Sequence, residues 1–334
     1  MKRALVTLLA VSILLGMGLP ASAQTIKLGT LAPEGSPWYE IIRDMAETWK
    51  ELTGGKIDFR IYPGGVAGDE CDMVRKMRVG QLHAAALSGE GLSCISPEIQ
   101  ALEMPMMLRS YEELDYVRDR IGPTLEAILE AKGFKVLTWG DAGWARFFAQ
   151  QPVVHPDDLK PLRIFIWSRN TAYIEAWRDA RYQTVPLAAT DVHTALQSGL
   201  INAFATTPIA ALSFQWFGLA KHMTDLKLKP LVGATVISIR TWQTIPDDVK
   251  PLLLEAARDA GARMQEVRKL GDEAVEVMRK HGLVVHHVPP EVVAQWERSV
   301  RAAYPKLVGA LAPREMVAEV ERLRNEYRAS QKSQ

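Results

Sequence analysis

Side chains able to do chemistry are scattered along this chain, but their spacing does not assemble a reaction centre. The candidates for acid, base or ligand roles are Glu90, Asp141, His193 and the adjacent His286-His287. No G-x-S-x-G elbow, H-E-x-x-H helix or G-x-G-x-x-G turn accompanies them, and no nucleophile has an evident base. The histidine pair sits in the alternating run VVHHVPP, where neighbouring side chains point to opposite faces and cannot chelate one ion. His193 falls on an amphipathic helix, a position that suits a half-exposed surface role. Catalysis is therefore the weaker functional class, and neither a metal nor a cofactor is expected.

Binding chemistry is better represented. Four short segments are expected at the carboxyl ends of strands, where parallel sheets place their ligands. They are Ser88-Gly89-Glu90-Gly91, the stretch from Trp139 through Asp141 to Trp144, the run Phe165-Ile166-Trp167, and Thr206-Thr207. Together they offer stacking faces, two hydroxyls, glycines and few charges. Trp38, at the end of the loop APEGSPW, and Trp216, in the aromatic stretch LSFQWFGLAKHM, add two further rings. Any one tryptophan is commonly core packing, but aromatics gathered at strand ends suit an apolar or aromatic ligand whose polar end is oriented by hydroxyls. Arg146, in GWARFFAQQP, reads from its residues alone as a salt bridge between two lobes or a snorkelling side chain. Arg163 lies two residues before Phe165 on the same strand face, and surface exposure is expected for it.

The elements that must position these residues alternate between strand and helix, the pattern of parallel α/β units. Strands are expected at 25–29, 56–62, 82–87, 134–140 and 231–238. Helices are expected at 38–52, 70–79 and 110–132. Between 159 and 208 a β-branched and aromatic run precedes a helix, a second strand, an amphipathic helix and a third strand. From Pro246 to Lys280 apolar residues recur at three- and four-residue steps, giving one stripe along roughly 50 Å of helix. A helix that long exceeds one lobe of ordinary size, so it is expected to be a spine packed against both. Residues 313–329 read as a helix folding back to close the structure. Met104-Pro105-Met106-Met107-Leu108 reads as a packed loop, and Asp69, Glu70 and Asp72 read as dipole-favoured residues in a first helical turn.

The first residues address export. Met1-Lys2-Arg3 is a short positive region, Ala4 to Gly18 is apolar, and Ala21-Ser22-Ala23 is a small-x-small cleavage site. Cleavage is expected after Ala23, releasing a periplasmic protein. The apolar stretch is too short and too interrupted by glycine and proline for a membrane span. Lysine plus arginine number 40 against 39 acidic residues, interspersed, for a formal net charge of +1. That balance argues against nucleic acid. The chain has two cysteines, Cys71 and Cys94, at the start of a helix and in the loop after the next strand. Both fall at the carboxyl edge of one sheet, so a disulfide is open to them in an oxidising compartment.

Several segments in order carry a resemblance: LAPEGSPWYE, GGKIDFRIYPGGVAGDE, RVGQLHAAALSGEGLS, LKPLRIFIW and AATDVHTALQSGLINA. The chain resembles the DctP-type solute receptors of TRAP (tripartite ATP-independent periplasmic) transporters over its whole mature length. The resemblance implies a two-lobed α/β Venus flytrap with a long interdomain helix and a ligand in the interlobe cleft. It also implies closure on binding and delivery to small and large integral-membrane subunits. The lobes are expected as 24–143 with 230–270, and 144–229 with 271–320, leaving 321–334 as a C-terminal tail. Most members of that family carry an arginine on the first strand of the second lobe, where it clamps a substrate carboxylate. Phe165 stands at that place. The usual asparagine of the third-strand motif is also absent, since Ala205-Thr206-Thr207-Pro208 occupies its position. The expected ligand is accordingly apolar, aromatic or amphipathic. The alternatives are an organic acid anion held through Arg146, or a binding module feeding a sensor. Another periplasmic accessory protein is a further partner the family pattern leaves open.

Overall fold

The computed structural model describes residues 23–167 and 171–332. The leader expected over residues 1–23 lies outside the described residues except for Ala23. Among the described residues ten strands form the framework: β1 (Gln24–Thr30), β2 (Ile57–Tyr62), β3 (Ala84–Ser88), β4 (Phe134–Ala149), β5 (Arg163–Ile166), β6 (Gln183–Pro186), β7 (Ala203–Thr206), β8 (His222–Asp225), β9 (Lys229–Ser238) and β10 (Val284–His287). They are ordered β2-β1-β3-β9-β4-β7-β5-β6, with β8 against β4 and β10 against β8. Parallel pairs β1–β2 and β1–β3 build one half, and parallel pairs β5–β6 and β5–β7 build the other.

The two halves are joined by strands rather than by loops. Phe134 to Ala145 of β4 pairs antiparallel with β9, and from Arg146 onward the same strand pairs with β7. The expected strand at 134–140 thus ends nine residues later than its sequence indicates. Gly143 sits in an irregularity between Asp141 and Trp144 at φ 93°. The Asp141–Trp144 stretch is therefore strand and not a loop at a strand end.

The expected spine is present, with one break. Helices Lys250–Ala262 and Met264–Lys280 are separated by Arg263 alone, whose amide donates to the Ala260 carbonyl and whose carbonyl accepts from the Glu266 amide, both three-residue steps. The break falls where the helix crosses β4. Gly261 there lies against Thr138 so closely that a Cβ would collide with the threonine hydroxyl, and Met264 packs on Gly140. The first segment packs on helix Pro37–Leu52 as well as β4, and the second reaches Pro208–Ser213 in the other half. Its apolar stripe accordingly serves both cores, with Leu253 and Ala257 buried in one and Val275 and Met278 in the other.

Helix Arg314–Lys332 packs on helix Tyr111–Ala131 and buries Val317, Val320 and Leu323. Residues 321–332, read from sequence as tail, are thus the second half of a packed helix. Met104, Met107 and Leu108 are buried in the core of the first half, as a packed loop requires. Cys71 and Cys94 form a disulfide with Cα atoms 5.6 Å apart, tying the start of helix Glu70–Arg78 to the end of the short helix Gly89–Ser93. Among the described residues no helix is long and apolar enough to cross a membrane.

Candidate functional site

Strand ends from both halves converge on two adjoining cavities. The first, of about 180 Å³, lies between the halves and is lined by Thr30 from the end of β1, Ser88 from β3, Trp139 from β4, Thr206 from β7, and the rings of Trp38 and Trp216. The second, of about 360 Å³, lies between β5, helix Thr171–Asp179 and helix Pro290–Leu307. Phe165, Trp167, Ala205 and Leu231 line both, so the β5 aromatics form a shared wall. Phe165 and Trp167 share one face of the β5 end, while Arg163, earlier on that face, lies at the exposed start of the strand and donates to the Gly199 carbonyl. The Phe165 ring sits edge-on to Trp216 at 6.3 Å, and Trp216 stacks on Phe214 at 4.9 Å.

Trp167 crosses from one half to the other. Its Nε1 donates to the Asp69 carboxylate at 3.0 Å, and Asp69 begins helix Glu70–Arg78 of the opposite half. Glu70 and Asp72 do stand in the first turn of that helix, as expected, but Asp69 and Glu70 have further partners. Asp69 makes no capping bond of its own and instead accepts across the cleft. Glu70 is buried and accepts from the Ser88 amide at 2.9 Å, the Ser88 hydroxyl at 2.6 Å and the Gly91 amide at 2.9 Å. Burial nevertheless pushes its carboxyl up to about 8.

The polar pole of the larger cavity contains Glu90, Gln100, Glu103 and Lys229. The Lys229 ammonium donates to Glu103 Oε2 at 2.7 Å, and Glu103 Oε1 accepts from the Val232 amide at 2.9 Å. Burial pulls the lysine down, but the charge of Glu103 with Tyr173 and Glu90 outweighs it, so the ammonium titrates above its ordinary range. Glu90 is pushed up to about 7 by burial, against the pull of Lys229 and with the push of Glu103 and Asp69. Lys229 enters β9 opposite Ala145, at the point where β4 passes between the halves. Asp157 and Lys160 complete the charged residues of this lining, and among the described residues no arginine contributes to either cavity.

The sequence of the chain matches the family described as DctP, bacterial extracellular solute-binding protein, family 7, over residues 28–309. The chain belongs to that family. It is a TRAP-type solute receptor, not an enzyme, and the family places it in the periplasm beside membrane permease subunits. A C4-dicarboxylate-binding periplasmic protein from Rhodobacter capsulatus is 24% identical over 307 residues, covering 89% of this chain and 91% of the relative. Among solved structures, a sugar acid binding protein from Advenella mimigardefordensis in complex with galactonate superposes with a TM-score of 0.85 at 18% identity, covering 91% of this chain and 98% of that one. A TRAP periplasmic solute-binding protein from Sulfurospirillum deleyianum with bound succinate superposes at 0.82 with 21% identity, covering 90% and 98%.

Within this DctP-family receptor the expected binding residues separate. Trp38, Trp139, Phe165, Trp167, Thr206 and Trp216 meet at the smaller cavity, and Glu90 joins Phe165 and Trp167 at the larger one. Four others line neither of these two cavities. Trp144 is buried against Tyr111 at 6.1 Å. Thr207 is fully buried and caps helix Pro208–Ser213 through the Ala210 amide. Gly89 lies under Glu103, where a Cβ would strike the carboxylate, and its carbonyl accepts from Gln100. Arg146 pairs with Asp225 at 3.0 Å and Asp272 at 3.9 Å. The cavity wall instead takes its neighbours Ala145 and Phe147, because successive side chains of β4 point to opposite faces. Both aspartates belong to the same expected lobe as Arg146, so this is a salt bridge within one half and not the interlobe one the sequence suggested. His286 pairs with His222 of the neighbouring strand at 2.8 Å, away from both cavities.

Sequence reasoning missed Lys229, Gln100 and Glu103. Lys229 alone carried a signal: a lysine placed directly before Pro230 at the start of an apolar strand.

Proposed function

We propose that this receptor takes up a monocarboxylate with an apolar body, its rings side seated on the Phe165–Trp167 wall and its carboxylate facing Lys229. One observation carries the reading: aromatic and aliphatic side chains line both cavities, and Lys229 is the cation at their polar pole. Relatives solved with succinate, galactonate and D-glucuronate bind acids, which favours an acid over a wholly apolar ligand. Those ligands are dianionic or richly hydroxylated. The lining here has too few donors to replace the water of such molecules, and an unmatched polar group costs about 1–3 kcal/mol. A phenyl-sized body burying on the order of 100 Å² contributes about 2.5 kcal/mol. The Trp38 indole N–H, buried at the smaller cavity without a partner, offers a donor to an acceptor on the ligand. An anion held through Arg146 is the weaker reading, since that guanidinium lines neither of these cavities.

Calorimetry with phenylacetate and with succinate tests the class. Phenylacetate is expected to bind at least tenfold tighter. Phe165→Ala is expected to weaken it about tenfold, about 1.4 kcal/mol, and Arg146→Ala by less than threefold. Tighter binding of succinate, or the reverse order of the two variants, overturns the proposal.

A further inference from the structure

The larger cavity contains a buried acceptor with nothing to accept from. Gln100 is 2% exposed on the turn Pro97–Glu103 and lines the cavity. Its Nε2 donates to the Gly89 carbonyl at 3.0 Å and to Glu90 Oε2 at 3.3 Å. That pair fixes the amide's orientation, because a flipped amide would set its oxygen against a carbonyl and a carboxylate. The opposite end, Oε1, is then buried without a hydrogen-bond partner. Leaving such an acceptor unmatched costs about 1–3 kcal/mol, and a donor on a bound molecule removes that cost.

Glu90 adds a second acceptor beside it. Its carboxyl also lines the cavity and receives one long bond from Gln100. The titratable groups acting on it are Lys229, Glu103 and Asp69, with Tyr173 close enough to feel Glu90 in turn. Lys229 donates to Glu103 with one of its three N–H groups and stands at the same pole. The pole therefore presents a cation for a carboxylate next to two acceptors for a hydrogen-bond donor. A molecule matching both must carry its donor close to its carboxylate.

We propose that Gln100 and Glu90 read an N–H or O–H donor on carbon 2 of the ligand, so that the solute is a 2-amino or 2-hydroxy acid with an apolar, ring-sized side chain. This rests on the monocarboxylate reading above and narrows it. Either donor satisfies Gln100 Oε1. An ammonium also gains the Glu90 charge, whereas a hydroxyl needs only an acceptor.

Three probes share a ring and a carboxylate and differ at carbon 2: racemic phenylalanine, racemic phenyllactate and 3-phenylpropanoate. At neutral pH one donor-bearing probe is expected to bind at least tenfold tighter than 3-phenylpropanoate, and which of the two does so identifies the donor. Gln100→Met is expected to bring that ratio within threefold. Glu90→Gln keeps the side chain's shape and supplies a second handle. It lowers phenylalanine affinity at least tenfold if the donor is an ammonium, and leaves phenyllactate within threefold if it is a hydroxyl. Equal affinity for all three probes on the unmodified protein overturns the donor-reading pole and leaves the monocarboxylate class standing. Equal loss of all three in Gln100→Met, with the fold intact by circular dichroism, likewise overturns it. Binding of succinate and none of the three removes the monocarboxylate reading, and the pole with it.

Discussion

At the scale of single residues, this site is defined by carboxyl groups kept away from water. Glu70 and Glu90 are pushed up to about 8 and about 7, chiefly by burial, from an ordinary value of 4.5. Each binds a proton more readily in the folded chain than in the unfolded one across that interval. Folding stability therefore falls as pH rises from about 4.5 to about 8, since the unfolded chain releases those protons first. The melting temperature of the unliganded protein is expected to decline over that range. Glu70→Gln, which cannot titrate, is expected to flatten the slope whatever it does to the absolute value. An unchanged slope in the variant would show that the burial of Glu70 is not the cause. None of this was legible from Asp69, Glu70 and Asp72 as a string. Acidic residues in a first helical turn look alike whether they face water or a neighbouring strand, and only the packing of Ser88 and Gly91 on Glu70 separates the two. Arg146 carries the same lesson, because a shift of one position along a strand exchanges a cavity wall for the opposite face.

At the scale of elements, the Glu90 loop is held from two sides. Glu70 accepts from the start of the short helix Gly89–Ser93, and the Cys71–Cys94 disulfide closes its far end over a separation of 23 residues. A loop of that length is worth about 3 kcal/mol in unfolded-chain entropy. Replacing both cysteines by alanine is expected to lower the melting temperature by roughly 5–10 °C, read by differential scanning calorimetry. A shift under about 2 °C would mean that Glu70 alone fixes the loop. The two cysteines were visible in the sequence as candidates meeting at one sheet edge. Their bonding needed the Cα separation, a tertiary quantity. The spine helix shows the complementary case. Its apolar period was legible over its whole length, but its break at Arg263 was not, because the break falls where Gly261 lies close against Thr138, more than a hundred residues away in the chain.

At the scale of the whole molecule, the bond between Trp167 and Asp69 is a direct polar tie between the halves across the cleft. Hydrogen bonds to charged groups contribute about 1.5–3 kcal/mol, enough to bias the balance between open and closed forms about tenfold or more. If the closed form is the one that holds solute, Asp69→Ala is expected to weaken binding at least fivefold by calorimetry. Small-angle scattering is expected to show a larger radius of gyration for the unliganded variant. An unchanged radius would assign the bond to packing and not to closure. The sequence by itself determined the α/β alternation, the family, the aromatic character of the β5 end and the spine's apolar stripe. These are properties of local period and residue type, which neighbouring positions fix. Tertiary structure alone decided that β4 runs through both halves, that Arg146 turns to aspartates, and that Lys229, Gln100 and Glu103 meet at one pole. Those facts depend on strand register and on contacts between distant segments, and a linear pattern carries neither.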